Sequence, residues 1–445
     1  MNTVGYLSGF FGPYRQSLKS YIDARFGPET AAFISAVTIG DVHLGEDLKR
    51  AFNKTGPAHI LSISGTHFGL FSVVIFGICS FLVKRLPYRL LQRLTLHVSP
   101  SQAAAIICIP LMVLYLGISG GSIPAVRSFI MITLFLAGLL LGRKGFWLNS
   151  VLLAACALVL WDTEVLLSFS FQLSFIAVLF IGFSVERGNS GETMIRRGNR
   201  FSAFVENSLR LTLAATIGTA PLVAYYFHYL SVISPLANLI AAPLIGFVVI
   251  PLALISSICY LLTVVYLFAP LVSVATEVSL WTVRSMARIP SADVAVPAFP
   301  LILIILFYAA FLMYLALEKK RMLLILPFAP FLLYALVAAF TPGRLSVTFL
   351  DVGQGDAAVV ELPDGKIMAI DTGRSGRETA DFLAFIGKRC VDSLTFSHAH
   401  PDHTGGGKHI LGRGPSTKYG TMVASITLKG SFPSGCTVPL HAGML

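Results

Sequence analysis

Three histidines and one aspartate fall within six residues near the carboxyl end of the chain, at His398, His400, Asp402 and His403. They follow directly after the apolar run 391–396, which predicts a β-strand. Because side chains at positions i and i+2 near a strand end point the same way, His398 and His400 can face one ion. Imidazole and carboxylate groups suit zinc, and also manganese or iron. The spacing therefore predicts a metal site, with Asp402 as a ligand and as the candidate catalytic residue.

A second predicted strand, 367–370, ends in Asp371-Thr372-Gly373. A carboxylate at such a strand end can hydrogen-bond a metal-binding imidazole from behind and fix its orientation. We therefore expect Asp371 to orient one of the ligands. The alternative is a polar loop with coincidental histidines. The presence of three of the chain's ten histidines in one hexapeptide argues against it.

The elements that must hold these residues form a soluble α/β module over 342–445. From Thr341-Pro342-Gly343 onward the pattern changes from long apolar runs to short alternating segments. The alternation predicts four strands and one helix, with a hairpin around 363–365. The strands are placed at 345–350, 357–362, 367–370 and 391–396, and the helix at 378–388.

The rest of the chain is dominated by apolar segments. Hydrophobic residues make up 55% of the 445 residues and charged residues only 12%, which excludes disorder and an ordinary soluble globule. The block 60–341 holds 17 Lys and Arg and 8 Asp and Glu. We therefore predict a polytopic α-helical membrane domain of about ten spans. The predicted segments are 60–83, 101–118, 124–142, 146–161, 168–185, 208–229, 232–262, 266–283, 298–317 and 322–341.

Residues 1–59 are mixed in character. Leu18, Ile22 and Phe26 recur at helical spacing between charged residues. The pattern predicts one or two amphipathic helices that lie on the membrane surface or against the bundle. No signal peptide is expected, because no apolar h-region follows the start.

Basic residues orient the predicted spans. The loop after the first span, 84–93, is rich in Lys and Arg, as are the loops at 143–144, 187–200 and 319–321. Since cytoplasmic loops are enriched in these residues, these four loops are predicted to face the cytoplasm and the C-terminal module the outer side. The same assignment places residues 1–59 on the outer side of the membrane, although they contain no signal that would direct their transfer. We therefore expect an upstream span to be missing and the chain to be a fragment.

Four polar side chains fall in or beside the predicted spans. His59, Ser64 and His67 lie at the start of the first span, and Arg127 lies just inside the third. Ionisable groups in lipid are costly and often line a polar path. These four are conduit candidates, and Arg127 could attract a phosphate. The alternative is that they make interhelical hydrogen bonds or extend to the membrane surface.

Several of these motifs resemble those of a known family. The His-x-His-x-Asp-His motif with an upstream Asp-Thr-Gly resembles the metallo-β-lactamase fold, and Leu350-Asp351-Val352-Gly353-Gln354-Gly355-Asp356-Ala357 is similar to the variant fused to the ComEC/Rec2 competence proteins. The membrane block carries four further segments that look like those of the family. They are Gly-Pro-Ala-His-Ile-Leu-Ser-Ile-Ser-Gly-Thr-His at 56–67, Pro-Ala-Val-Arg-Ser at 124–128, Phe-Gln-Leu-Ser-Phe at 171–175 and Ser-Pro-Leu-Ala-Asn at 234–238.

The resemblance implies a multi-pass protein of the bacterial inner membrane that passes single-stranded DNA into the cell during natural transformation. Its implied partners are single-stranded DNA, the lipid bilayer, other DNA-uptake proteins and a second copy of the chain. A membrane-anchored metal-dependent phosphodiesterase or nuclease is the alternative, and a transporter of a small solute or lipid is a third.

The resemblance also implies metal ligands beyond those present in this chain. The family's later ligands are a histidine, a bridging aspartate and a final histidine, whereas no Asp or Glu follows Asp402 here. We therefore expect a partial metallo-β-lactamase-like domain with two ligands per metal. Zn²⁺, as one or two ions, or Mn²⁺ would bind weakly, and the domain would have no hydrolase activity.

Overall fold

The structure is a computed structural model that describes residues 3–61, 63, 65–140, 147–188, 200–316, 325–411 and 418–421. Within these ranges the chain is mostly helical, with a small sheet near its carboxyl end. It divides into two compact units, which are described separately. The first is Met1–Ala220 with Ser231–Asp293, and the second is Pro221–Leu230 with Val294–Leu445.

The described residues up to position 287 form thirteen α-helices. Their bounds are α1 Thr3–Arg25, α2 Pro28–Thr38, α3 Glu46–Thr55, α4 Gly65–Lys84, α5 Tyr88–Thr95, α6 Pro100–Ile118, α7 Ile123–Leu140, α8 Trp147–Trp161, α9 Phe169–Gly188, α10 Arg200–Phe227, α11 Ser234–Pro243, α12 Ile250–Thr263 and α13 Ala269–Ala287. The 3₁₀ turns Pro57–Ile60 and Thr163–Leu167 precede α4 and α9. A short two-stranded sheet pairs β1 Tyr229–Ser231 with β2 Asp293–Ala295.

The amino-terminal helix α1 packs against the bundle of the first unit. Leu18, Ile22 and Phe26, one helical turn apart, are buried in a cluster that also contains Tyr266 and Val272. This burial removes the apolar stripe of α1 from solvent.

The main core of the first unit lies between α4, α6 and α7. The ring of Tyr115 on α6 lies 4.7 Å from that of Phe68 and 4.6 Å from that of Phe71 on α4. Ala104 and Ala105 on α6 are fully buried. Small side chains at these positions let the helix backbones approach closely.

Helices cover all ten of the predicted apolar segments within the described residues. Four helical stretches are long and apolar enough to cross a membrane: His67–Lys84, Pro100–Ile118, Phe169–Glu186 and Ser234–Thr263. Four further apolar helices are shorter, at Pro124–Gly138, Trp147–Trp161, Leu301–Tyr314 and Leu326–Phe340. Length and composition thus support four spans, and the prediction of about ten goes beyond what they establish.

The seventh predicted segment, 232–262, forms one continuous helical stretch. A π-helical turn, Leu244–Val249, joins α11 to α12. Pro243 and Pro251 flank this turn. Because proline lacks a backbone N–H, the ordinary i to i−4 bonding pattern cannot run unbroken through this stretch, and a wider turn fits there.

The second unit contains the predicted α/β module. Its helices are α14 Leu301–Ala316, α15 Ala329–Phe340, α16 Arg377–Phe385, α17 Pro401–Thr404 and α18 Gly407–Leu411. Its strands are β3 Ser346–Phe349, β4 Ala358–Glu361, β5 Ile367–Ile370, β6 Ser393–Phe396 and β7 Lys418–Thr421. They form one sheet in sequence order, antiparallel from β3 to β5 and parallel from β5 to β7.

The parallel pairing of β5 and β6 positions the candidate site. Ile370 pairs with Thr395, so the carboxyl ends of the two strands lie side by side. Val359, Ala369 and Leu394 are fully buried beneath the sheet in a core that also contains Leu383 of α16. The loops that carry Asp371 and His398 therefore leave the sheet at the same edge.

Candidate metal centre and conduit residues

Asp371 lies at the centre of the hydrogen-bond network at this edge. Its Oδ1 accepts a hydrogen bond from the backbone N–H of Ser397 at 2.8 Å, and its Oδ2 accepts one from Ser397 Oγ at 2.6 Å. The Nδ1 of His403 donates to the same Oδ2 at 2.9 Å. Asp371 is 3% exposed and His403 8%, and Asp371 has a φ of 56°. A non-glycine residue holds this conformation only where its surroundings define it closely.

Backbone bonds fix the loop of Asp371 against the loop of the histidines. The N–H of Thr372 donates to the carbonyl of His403 at 2.9 Å, and Thr372 Oγ1 donates to the same carbonyl at 3.0 Å. The N–H of Asp371 donates to the carbonyl of Thr395 at 2.9 Å. The two loops are therefore one connected structure, which holds His403 in place.

The other candidate ligands are arranged around His403. The ring of His398 lies 4.0 Å from that of His403 and 6.1 Å from that of His400, measured between centroids. His400 Nδ1 contacts Asp402 Oδ1. The same oxygen lies 3.9 Å from His403 Nε2, the ring nitrogen that faces away from Asp371.

The local charges set the protonation of this cluster. The hydrogen bond to Asp371 raises the pKa of His403 above its ordinary value. The hydrogen bond from His400 lowers the pKa of Asp402. Asp402 is therefore an anion at neutral pH, as a metal ligand must be.

The donor types suit zinc, but their arrangement offers two ligands, which is half of the four that zinc usually binds. One cation could contact both Asp402 Oδ1 and His403 Nε2 across their 3.9 Å separation. Among the described residues, however, no three His, Cys, Asp or Glu side chains converge as a metal site requires. The arrangement does not fit a firmly held ion, so no reaction step is assigned to a metal.

The conduit candidates fall in different surroundings. His67 is fully buried at the start of α4, and Arg127, in α7, is 3% exposed. His59 is exposed on its 3₁₀ turn. Ser64 lies outside the described residues.

Four segments that are far apart in sequence meet within the first unit. Gly56 approaches Ser234 so closely that a Cβ on the glycine would lie 2.4 Å from the serine Oγ. A Cβ on Gly65 would lie 3.5 Å from Ser128 Oγ. Arg127 Nη2 donates to Ser170 Oγ. The segments around 56–67, 124–128, 170–175 and 234–238 therefore form one network of contacts.

Two residues in these networks make contacts that the sequence motifs do not predict. Ser397 gives Asp371 two of its three side-chain bonds, and Ser170 is the hydrogen-bond partner of Arg127. The signal for Ser397 was its place directly after a strand, beside the expected carboxylate. Nothing in the sequence pairs Ser170 with Arg127, because 43 residues separate them.

Comparison with known proteins matches both parts of the chain. Residues 38–321 match the model of the competence protein family, and residues 350–430 match that of the metallo-beta-lactamase superfamily. The chain is 25% identical to ComE operon protein 3 of Bacillus subtilis over 434 residues, which cover 89% of this chain and 51% of that protein.

Two further relatives cover similar shares. Competence protein ComA of Neisseria gonorrhoeae is 28% identical over 83% of this chain and 51% of its own length. The uncharacterized protein YcaI of Escherichia coli is 27% identical over 82% of this chain and 48% of its own length. The chain thus spans about half the length of these curated relatives. No solved structure matches it.

Proposed function

Because the chain belongs to the competence protein family, we propose that it forms a conduit through which single-stranded DNA crosses the bacterial inner membrane during natural transformation. The names of two relatives, ComE operon protein 3 and Competence protein ComA, agree with a role in competence. The membrane path and the substrate are the parts that we propose.

The observation that carries the proposal is the convergence of the four polar segments in the first unit. They come from the stretch between α3 and the start of α4, the start of α7, the start of α9 and the start of α11. A bundle held together by apolar packing alone has no need to collect its polar side chains in one place. A pathway for a charged polymer does, because each phosphate must be kept in a wet or polar setting.

Buried polar groups extend beyond this network. Ser256, Thr276 and Ser279 are fully buried on α12 and α13. Ser279 satisfies its hydroxyl with the carbonyl of Ala275, which also suits a purely structural role. These hydroxyls therefore support the proposal less than His67 and Arg127 do, since ionisable groups are the costlier ones in lipid.

The proposed topology follows the basic loops. In it the basic segment 84–93, which runs from the end of α4 into α5, faces the cytoplasm, and the C-terminal module faces the outer side. The residues 318–321, which contribute to the same argument, lie outside the described residues. Partners in this arrangement are single-stranded DNA, the bilayer, other proteins of the uptake machinery and a second copy of the chain.

The alternative function is that of a membrane-anchored, metal-dependent phosphodiesterase or nuclease. The contact network of Asp371, Ser397 and His403 is the observation that favours it. Zn²⁺ or Mn²⁺ would be the ion, with His398, His400, Asp402 and His403 as ligands.

Uptake and cleavage can be measured separately. A strain that lacks the chain is complemented with wild type, with His67→Ala and with His398→Ala, at equal membrane abundance. We expect His67→Ala to reduce uptake of labelled DNA and His398→Ala to leave it unchanged. Excess unlabelled single-stranded DNA should block the wild-type signal, whereas a small solute should not.

Two results would contradict the conduit. Normal DNA uptake in the strain that lacks the chain would show that the chain is not needed for uptake, which contradicts the proposed conduit. Loss of metal-dependent DNA cleavage with His398→Ala, together with loss of uptake, would favour the nuclease.

A further inference from the structure

The most unusual charge in the first unit is the guanidinium of Arg127. The side chain is 3% exposed and sits in the second turn of α7. Its Nη2 donates to Ser170 Oγ in the first turn of α9. In the part of the chain that the structure describes, Nε and Nη1 have no hydrogen-bond partner. These two nitrogens carry three of the five N–H donors of arginine.

The surroundings make this charge more costly. A side chain near a helix start leans back towards the amino end, where the helix dipole is positive. Ser170 belongs to the first turn of a second helix, which presents a positive end as well. Arg127 is thus a buried cation beside two positive helix ends, a position that suits an anion and not a cation.

Arg15 shows the opposite arrangement in the same unit. Its Nη2 donates to the carbonyl of Ile39, the residue that caps the carboxyl end of α2, at 2.8 Å. That carbonyl belongs to the negative end of a helix, so the charge of Arg15 is compensated within the chain. Among the described residues Arg15 also has one nitrogen, Nε, without a hydrogen-bond partner, but its side chain is only half-buried, whereas Arg127 has two such nitrogens and is 3% exposed.

We infer that Arg127 is the centre of an anion-binding site, and that its ligand is a monoanionic phosphodiester. A guanidinium fork matches two phosphate oxygens, and one phosphodiester carries the single negative charge that balances one arginine. Ser170, whose Oγ accepts the hydrogen bond from the guanidinium, is only half-buried. The chemistry is shared by a DNA backbone and a phospholipid headgroup. The choice of DNA rests on the proposed function.

The site is tested on the full chain purified in dodecyl maltoside, a detergent without phosphate. The probe is a fluorescein-labelled thymidine oligonucleotide, and its binding is followed by fluorescence anisotropy. Arg127→Gln removes the charge at similar size, and Arg127→Lys keeps the charge without the fork. The matched control is Arg288→Gln, which neutralises an exposed arginine in the same unit.

We expect Arg127→Gln to weaken binding about tenfold or more, since a charged bidentate contact is lost. The affinity of Arg127→Lys should lie between those of Arg127→Gln and the wild type. The affinity of Arg288→Gln should stay within about twofold of the wild-type value. The log–log slope of affinity against salt should drop by about 0.7 for Arg127→Gln, as for one phosphate contact to a single strand. Equal affinity and slope for Arg127→Gln and wild type would overturn the site.

Competitors identify the ligand. The dinucleotide dTpdT should displace the probe, and its uncharged methylphosphonate analogue should not. Equal displacement by both would overturn the assignment to a phosphodiester. Displacement by dihexanoyl phosphatidylglycerol but not by dTpdT would show that the ligand is a lipid, and would overturn DNA as the source. Normal uptake in a strain without the chain would contradict the proposed function and leave these binding results unchanged.

Discussion

Asp371 determines the geometry of the candidate metal centre at the scale of single residues. Its buried carboxylate accepts bonds from the backbone N–H and the hydroxyl of Ser397 and from the ring of His403. Removing a buried acceptor leaves its donors without partners, which costs more than the bond itself contributes. The order of the histidine loop therefore depends on this one side chain.

The first prediction concerns Asp371→Asn. The amide keeps the shape but loses the charge and presents an N–H₂ to one of the donors, so strands β5 and β6 should be destabilised locally by about 2 kcal/mol. Hydrogen–deuterium exchange of these strands in the full chain in detergent should then be faster by about 30-fold. Asp381→Asn, an exposed carboxylate on α16, is the matched control and should exchange as wild type does. Unchanged protection in Asp371→Asn would contradict the prediction.

The second prediction is a pH dependence from the same pair. The hydrogen bond to Asp371 raises the folded pKa of His403 above its ordinary 6.5, so the folded state binds this proton more tightly than the unfolded state does. The stabilisation is fully present below pH 6.5 and is lost as the pH rises through the higher folded pKa. In the presence of a chelator, protection of β6 should fall over that range in the wild type. The slope should disappear in Asp371→Asn, and an identical slope in both proteins would refute the coupling.

The loop between β3 and β4 matters at the scale of elements. It contains Gly353 at a φ of 72° and Gly355 at a φ of 103°. A Cβ on Gly355 would lie 2.0 Å from the carbonyl oxygen of Asp402, whereas a Cβ on Gly353 would meet nothing within 4 Å. The motif Asp-Val-Gly-Gln-Gly-Asp at 351–356 thus allows its backbone to contact the metal-site loop directly.

The third prediction separates strain from contact. Gly353→Ala should cost about 1 kcal/mol, the strain of a positive φ with a Cβ, and leave the histidine loop in place. Gly355→Ala adds the clash with Asp402 and should cost at least about 3 kcal/mol. Hydrogen exchange of the 398–405 segment in the full chain provides the measurement. The same loss of protection in both variants would show that the close approach to Asp402 contributes nothing.

The whole molecule combines an apolar helical unit with a small α/β module. Its sidedness depends on the distribution of charge and not on any one contact. Leu90 lies on α5, is half exposed, and belongs to the basic segment 84–93. Glu164 lies on the 3₁₀ turn between α8 and α9, at the other side of the predicted topology.

The fourth prediction tests this sidedness with single cysteines in a background without the six native ones. Leu90→Cys should react with an impermeant maleimide only after the membrane is opened, since the proposed topology places this residue on the cytoplasmic side. Glu164→Cys should react in intact cells and serves as the internal control. Reaction of Leu90→Cys with the maleimide in intact cells would contradict the proposed topology and indicate the opposite orientation.

Local patterns in the sequence were enough to predict the secondary structure around the candidate site. The strands at 367–370 and 391–396 and the helix at 378–388 correspond to β5, β6 and α16. The alternation of apolar residues and the turn at Pro363-Asp364-Gly365 are short-range signals, and short-range steric and solvation effects produce them. The ten apolar segments were found as helices for the same reason. Their number of membrane crossings was not determined, because helix length and mean apolarity do not separate a short span from a buried helix.

The sequence alone identified the residue types for the metal centre and the polar network, and the tertiary structure decided which of them meet. Parallel pairing of β5 with β6 brings Asp371 to His403 across 32 positions. Helix packing brings Arg127 to Ser170 and leaves two of its nitrogens without partners in the described residues. The sequence also suggested a cluster of four metal ligands. In the folded loop Asp402 Oδ1 lies near both His400 and His403, but no three of these side chains form a metal site among the described residues. Contacts of this kind depend on the directions in which whole strands and helices cross, and no local sequence pattern encodes those directions.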